Sequence, residues 1–303
     1  MTIDNPKTLL VIAGPTAVGK TETAIAVATT LRTEIISADS RQFYREMNIG
    51  TAKPTAAHRS AVPLHLIGHL SVTDNYNISL FERDTLGLLD RLFQQVPVVV
   101  MCGGSGMYID AVCKGIDDLP DADPPIRAEL RKGYEKHGIR YLQNQLYGLD
   151  PGYYAHADLN NPQRLIRALE VCLITGMPYS SFRIRRQVVR PFRTVAVGLM
   201  TSKEELYRRI NGRVDRMMEQ GLLREARDLY PYRHLNALQT VGYRELFDHL
   251  DGNTSLPDAV EKIKTNTRRY AKRQLTWFRR DPGMKWFDPA ARDVVNEILN
   301  STD

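Results

Sequence analysis

The stretch Thr8-Leu-Leu-Val-Ile-Ala13, continuing into Gly14-Pro15-Thr16-Ala17-Val18-Gly19-Lys20-Thr21, decides the fold. A short apolar, β-branched run stopping at a glycine reads as a buried parallel strand. Gly14 to Thr21 matches G-x-x-x-x-G-K-[ST] without a mismatch, and Glu22–Leu31, rich in Ala and Thr, predicts the helix such a loop opens. Glycines let the loop backbone approach a diphosphate, whose oxygens take its N–H groups. The motif thus wraps Gly14 to Thr21 around phosphate, with Lys20 neutralising charge and the Thr21 hydroxyl ligating Mg²⁺.

Working outward, Glu34–Ala38 reads as a second strand that ends at Asp39-Ser40. Leu80–Phe93 has helical spacing, and Val96–Met101 is a third buried strand ending at Cys102-Gly103-Gly104. Alternation of this kind predicts right-handed crossovers and an α/β fold, a parallel sheet of the P-loop type covered on both faces. From Asp117 to Arg193 the pattern changes: helical segments between turns, and no strong strand until Thr194–Met200. Asp117 to Pro125 is acidic, Pro-rich and hinge-like, and Asn161-Pro162 predicts a capped helix running to about Thr175-Gly176. The expected organisation is a core over 1–112, a mostly helical insertion over 113–193, and a return to the core over 194–303 with basic C-terminal helices. Ser202 with Glu205 predicts a capping box for a long amphipathic helix, and the remainder reads as helical.

The 303 residues, 43% hydrophobic and 25% charged, suffice for one large or two modest domains without covalent staples. The longest apolar runs, Leu9–Ala13 and Val96–Cys102, are far short of the roughly 20 residues a membrane span needs. No basic segment, apolar core and cleavage site open the chain, so a cytoplasmic protein is expected. Three cysteines without a C-x-x-C pair argue against a disulfide framework or zinc site, and the seven histidines show no ligand spacing.

The phosphate loop alone does not imply a nucleoside triphosphatase, because no later strand ends in the expected Asp. The acid best placed at a strand end is Asp39, followed by Ser40, Arg41 and Gln42. In open α/β sheets the carboxyl ends of the strands line the active crevice, so Asp39 reads as a Mg²⁺ ligand or a general base, with an Asx-turn or helix cap as the bland alternative. Gly103-Gly104-Ser105-Gly106 is either a tight turn or a place where Ser105 touches ligand or holds Asp39. Arg183 to Arg193 carries five arginines in eleven residues, and Lys262 to Arg280 carries eight Lys or Arg; neither contains an acid. On a helix Lys262, Arg269, Arg273 and Arg280 share a face beside the apolar stripe Ile263, Tyr270 and Trp277. Acid-free basic faces favour a phosphate backbone as partner over simple solvation. Arg209, Arg213 and Arg216 share a helix face, from which Arg209 or Arg213 could reach a leaving phosphate. Gln163, Arg164 and Arg167 fall in the first turns of their helix, where anions or base edges can be met.

These residues, together with Asn48-Ile-Gly-Thr-Ala-Lys-Pro54, Pro63-Leu-His-Leu66, Gly103 to Tyr108, Asn161 to Arg164, Val241-Gly-Tyr243 and Lys272 to Arg279, make the chain resemble the tRNA dimethylallyltransferase (isopentenyltransferase) family. The resemblance runs in order over nearly the whole chain. It implies transfer of a dimethylallyl group from dimethylallyl diphosphate to the exocyclic amine of the adenosine just 3′ of a tRNA anticodon. It further implies a P-loop that grips the donor diphosphate with Mg²⁺, and a mobile helical insertion. By position, Thr16 to Thr21 would hold the diphosphate and Asp39 would be the base. Asp39, Ser40, Arg41, Gln42, Ser105, Arg127, Gln163, Arg164, Leu165, Ile166 and Arg167 would contact tRNA. Where the family usually has Thr and Leu, this chain has Ser105 and Met107; Ser keeps the hydroxyl.

Allylic diphosphates ionise readily, so catalysis chiefly requires stabilising the leaving diphosphate, by Lys20, loop N–H groups, Mg²⁺ and an arginine such as Arg213. Adenine's amine is a weak nucleophile that Asp39 would orient and deprotonate, after the base is drawn out of the anticodon stack. The two basic segments, Arg269 and Arg273 among them, would cradle the anticodon stem-loop, with Trp277 a candidate planar group. A monomer without a membrane partner is expected. The rival readings are a small-molecule P-loop kinase and a non-catalytic RNA-binding P-loop protein.

Overall fold

In the computed structural model, residues 7–183 and 188–302 are described; Arg185 and Arg186 of the first basic segment lie outside them. The chain divides into two compact units, Met1–Lys114 with Val189–Asp303, and Gly115–Val188.

The first unit is built on a six-stranded, wholly parallel sheet: β1 (Thr8–Ala13), β2 (Ile35–Ser37), β3 (Leu64–His65), β4 (Val98–Gly103), β5 (Arg193–Leu199) and β6 (Lys285–Phe287), in the order β3-β2-β4-β1-β5-β6. β1 is central, in register with β4 from Thr8 opposite Val98 to Ala13 opposite Gly103, and with β5 from Thr8 opposite Arg193 to Ala13 opposite Gly198. Its unbroken apolar run is explained by burial on both faces. Leu9 and Val11 pack with Phe81, Val99, Met101 and Tyr243, while Leu10 and Ile12 pack with Val27, Val100, Val197 and Ile210 on the other side. Leu10→Ala would cost about 2–5 kcal/mol, the usual range for a fully buried leucine.

The covering helices of this unit are α1 (Lys20–Leu31), α2 (Ala56–Ala61), α3 (Ile78–Leu92) and α4 (Gly106–Lys114). The second unit holds α5 (Pro124–His137), α6 (Ile139–Leu149), α7 (Pro151–Tyr154) and α8 (Pro162–Thr175) around Leu130, Leu142, Leu146, Leu165 and Leu169. The first unit then resumes with α9 (Lys203–Glu219), α10 (Leu222–Leu229), α11 (Tyr243–Leu250), α12 (Leu256–Phe278) and α13 (Val294–Leu299). Among the described residues, no helix is long and apolar enough to cross a membrane.

Three sequence expectations are corrected. The chain after Met200 is not all helical, because β6 pairs with β5; three residues at a sheet edge are too short to show a strand period. β3 escapes notice for the same reason. The box at the start of α9 is half made: Ser202 accepts from the Glu205 N–H, but the Glu205 carboxylate turns instead to Arg208 and Arg209. The α8 boundaries follow the sequence, with Asn161 capping the Arg164 N–H and Gly176 ending the helix at φ 68°.

Candidate active site

The carboxyl ends of β1, β2 and β4 meet at a cavity of about 440 Å³ in the first unit, lined among others by Thr16, Lys20, Thr21, Asp39, Gln42, Lys53 and Arg213. The phosphate loop is shaped by backbone freedom at Gly14, where a Cβ would stand 2.7 Å from the Leu199 carbonyl, and by Ala17 at φ 66°. Pro15 and Val18 are buried and anchor the loop from below. Lys20 donates to the Pro15 carbonyl at 2.7 Å. Burial pulls its ammonium down to about 8, a fall that nearby Cys102 and Asp39 moderate. The Cys102 thiol beneath is pushed up to about 12 by the same burial, so it is an inert floor and not a nucleophile.

Of the two arginines proposed for the diphosphate, the structure separates the roles. Arg213 lines the cavity, donates to the Thr16 hydroxyl at 3.3 Å and has its pKa lowered by burial. Arg209 grips the Val18 carbonyl at 3.0 Å and Glu205 at 2.6 Å, bracing the loop.

Asp39 follows β2 in an Asx-type turn, its carboxylate accepting the Arg41 N–H at 3.0 Å. The Asx-turn reading is thus realised, and the residue also borders the cavity. The turn is locked to the β4 end. Ala38 donates to Cys102 at 2.8 Å, Ser105 donates to Ala38 at 3.2 Å, and the Ser105 hydroxyl accepts the Ser40 N–H at 3.0 Å. A Cβ on Gly103 would stand 2.1 Å from the Ala38 carbonyl, so the glycine is obligatory. Arg41 donates to the carbonyls of Asn236 and Ala237, and the Gln42 amide donates to those of Thr51 and Ala52. These two side chains are spent on holding loops.

Several residues at the site were not singled out by sequence. Glu225 on α10 accepts the N–H groups of Asn48, Ile49 and Gly50 at 2.8–2.9 Å and the Tyr243 hydroxyl at 2.6 Å, fixing the turn that carries Lys53. Lys53 donates to Asn48 Oδ1 at 3.1 Å, and burial lowers it to about 8. Gln274 on α12 touches the phosphate loop itself, its Oε1 accepting the Thr16 N–H at 2.9 Å.

The basic segments divide between structure and surface. Arg190 is 10% exposed, ion-paired with Glu82 and bonded to the Ala111 carbonyl; Arg183 lies over Tyr153 and Tyr179. Among the described arginines of this segment, Arg190 is thus structural, while Arg183 and Arg193 are exposed. On α12, Lys264 pairs with Asp215 and Glu261, whereas Lys262, Arg269 and Arg273 are exposed; Arg280, expected on the same helical face, lies beyond the helix end at Phe278, exposed and over the Trp277 ring. Trp277 is no open stacking platform: its indole donates to Asp110 at 2.9 Å and packs on Gly106.

In the second unit, Gln163 and Arg164 are exposed at the start of α8. Leu165 and Ile166 are not available to RNA: they are 0% and 7% exposed, inside the core that α8 shares with α5 and α6. Arg127 and Arg167 converge on Glu170, which is fully buried, at 2.6 and 2.8 Å. Their first task is to neutralise that carboxylate.

The family profile described as "IPP transferase" matches residues 42–281, and that described as "Isopentenyl transferase" matches residues 7–63. The chain is 54% identical to the tRNA dimethylallyltransferase of Christiangramia forsetii, over 92% of this chain and 93% of the relative. It is 50% identical to tRNA dimethylallyltransferase 1 of Bacteroides thetaiotaomicron, over 96% and 95%. Among solved structures it resembles the tRNA isopentenylpyrophosphate transferase of Bacillus halodurans, with TM-score 0.70 and 38% identity over 98% and 97% of the two chains. A eukaryotic dimethylallyltransferase captured acting on tRNA gives TM-score 0.79 and 25% identity, over 97% of this chain and 77% of that one.

Proposed function

The chain belongs to the IPP transferase family, and from that premise we propose that it transfers a dimethylallyl group from dimethylallyl diphosphate to the exocyclic amine of the adenosine 3′-adjacent to the anticodon in tRNA, acting as a cytoplasmic monomer. The observation that carries this reading is a single cavity bordered by a diphosphate loop and by an aspartate held at a strand end.

The donor diphosphate lies along Thr16 to Thr21, with Lys20 and Arg213 supplying positive charge. As the amine nitrogen bonds to C1 of the allyl group, the C1–oxygen bond breaks and its electron pair leaves with the diphosphate. The proton lost by the amine passes to Asp39. Charge on the departing diphosphate grows through the step, so pre-placed N–H groups, Lys20 and Arg213 act most strongly there.

The residues present suit Mg²⁺. Thr21 lines the cavity, and among the described residues no group of three or more His, Cys, Asp or Glu converges to hold a metal by protein ligands alone. Mg²⁺ typically takes one or two protein oxygens and completes its shell with phosphate and water. Thr21 would hold it, and when bound it adds positive charge to the diphosphate.

The test is incubation of the protein with unmodified tRNA, labelled dimethylallyl diphosphate and Mg²⁺. Label in the RNA is expected. Phosphorylation of a small acceptor from ATP without label transfer would favour the kinase, and RNA binding without either reaction would favour the non-catalytic RNA-binding protein.

A further inference from the structure

Gln274 is a polar residue set into the buried side of a basic helix. It lies on α12 four residues after Tyr270 and three before Trp277, and it is 6% exposed. Both ends of its amide are in use. Oε1 accepts the Thr16 N–H at 2.9 Å, and Nε2 donates to the Gly104 carbonyl at 2.9 Å. One partner is a donor and the other an acceptor, so the amide's orientation is fixed by its surroundings. Gly104 is what admits it, since a Cβ there would stand 2.2 Å from Nε2. The second glycine of Gly103-Gly104-Ser105 thus has its physical reason in a side chain 170 residues away.

The two segments joined are the two halves of the site. Thr16 opens the cradle for the diphosphate. Gly104 precedes Ser105, whose hydroxyl holds the Ser40 N–H and with it the Asp39 turn. Gln274 bonds to both the phosphate loop and the β4 turn through one rigid amide. We propose that Gln274 is a positioning residue for the transfer, setting the spacing between the Thr16–Thr21 cradle and Asp39. It touches neither reacting atom; its role deepens the proposed transfer reaction and rests on it. Reacting groups must sit in near-attack geometry, and a displacement of about 1 Å can cost on the order of a hundredfold in rate.

Two variants test this, with label transfer by the unchanged protein as the reference for the function itself. Gln274→Met keeps length and apolar volume but makes neither hydrogen bond. Its kcat should fall tenfold or more while the dissociation constant for tRNA stays within threefold. In Gln274→Glu, a protonated carboxyl can donate to Gly104 and accept from Thr16, whereas the ionised form sets a carboxylate oxygen against a carbonyl oxygen. Its kcat should therefore climb as pH is lowered, along a limb the unchanged protein lacks, and reversibly in one sample. A misfolded variant would not regain activity on acidification. If the unchanged protein transfers label but Gln274→Met keeps its kcat, or Gln274→Glu merely parallels the unchanged pH profile, the proposal is overturned. If the unchanged protein transfers no label, the function itself fails, and the proposal falls with it.

Discussion

The Lys20 ammonium is bonded at 2.7 Å to the carbonyl of Pro15, inside the same loop that borders the cavity. A donor diphosphate must draw that ammonium away from Pro15, and only its protonated form gains by the move. Burial holds Lys20 near 8 in the ligand-free protein, below the ordinary 10.5. Donor binding should accordingly be insensitive to pH below about 8, and KM for the donor should rise above it as the ammonium loses its proton. Lys20→Arg, which stays charged, should move this limb upward. Initial rates against donor concentration from pH 6.5 to 9.5 decide it; a flat KM for the unchanged protein would sink the assignment.

The same shift makes a stability prediction of opposite flavour. A lysine whose folded pKa lies below its unfolded one binds fewer protons when folded, so ligand-free stability rises with pH between about 8 and 10.5. At pH 7 the full penalty is present. Lys20→Met should stabilise the empty protein there by on the order of 1–2 kcal/mol, after the lost hydrogen bond to Pro15 is discounted, while transfer collapses. Urea unfolding at pH 7 and pH 10 measures both halves; equal gains at the two pH values would contradict the account.

Asp39 shapes its turn and, in the proposed reaction, takes the amine proton; two substitutions pull these apart. Asn keeps an oxygen for the Arg41 N–H but is no base; Ala removes both. Asp39→Asn should lower kcat by about 10²–10⁴ with tRNA affinity within a few-fold. Asp39→Ala should add a loss of roughly 1 kcal/mol in stability from the broken turn. Normal turnover with weakened RNA binding in Asp39→Asn would make this residue an RNA contact and not the base.

How far the sequence reads depends on how local each signal is. The phosphate loop, β1 and the capped start of α8 are written in consecutive residues, and the structure has them at those places. Asp39 follows from a rule about strand ends. Gln274 and Glu225 act on partners 258 and 175–177 positions away, so no window of sequence contains the reason for them. A signal was nonetheless present: Gln274 interrupts the stripe Ile263, Tyr270, Trp277, and Glu170 is a lone acid in an apolar run. A polar residue where the period demands an apolar one marks a bond that tertiary structure must supply. Leu165 and Ile166 show the converse error, because a motif carried over as a block brings core positions along with surface ones.

Glu170 gives the clearest contrast between structure and surface. Fully buried, it accepts from Arg127, Arg167 and the Asp123 N–H. Losing one arginine leaves the carboxylate undercompensated, so Arg127→Met should destabilise the second unit by about 2–4 kcal/mol, the lower part reflecting the partly exposed guanidinium. Protease sensitivity within Gly115–Val188 reports this directly. Unchanged resistance together with weaker tRNA binding would return Arg127 to the RNA surface.

Arg269 and Arg273 should behave in the opposite way. Both are exposed on α12; among the described residues Arg269 reaches Asn266 and Arg273 lies over Tyr270, and neither pairs with a carboxylate there. Removing them leaves no buried charge behind, and stability should change by less than about 0.5 kcal/mol. If they meet phosphate, each releases about one condensed counterion on binding. The plot of log affinity for the anticodon stem-loop against log salt should then lose up to about one unit of slope per arginine replaced by Gln. Lys264→Gln is the internal control: its ammonium already pairs with Asp215 and Glu261, so it should leave the slope nearly unchanged. Equal slopes for all three variants would mean that this face of α12 is solvated and that the RNA lies elsewhere.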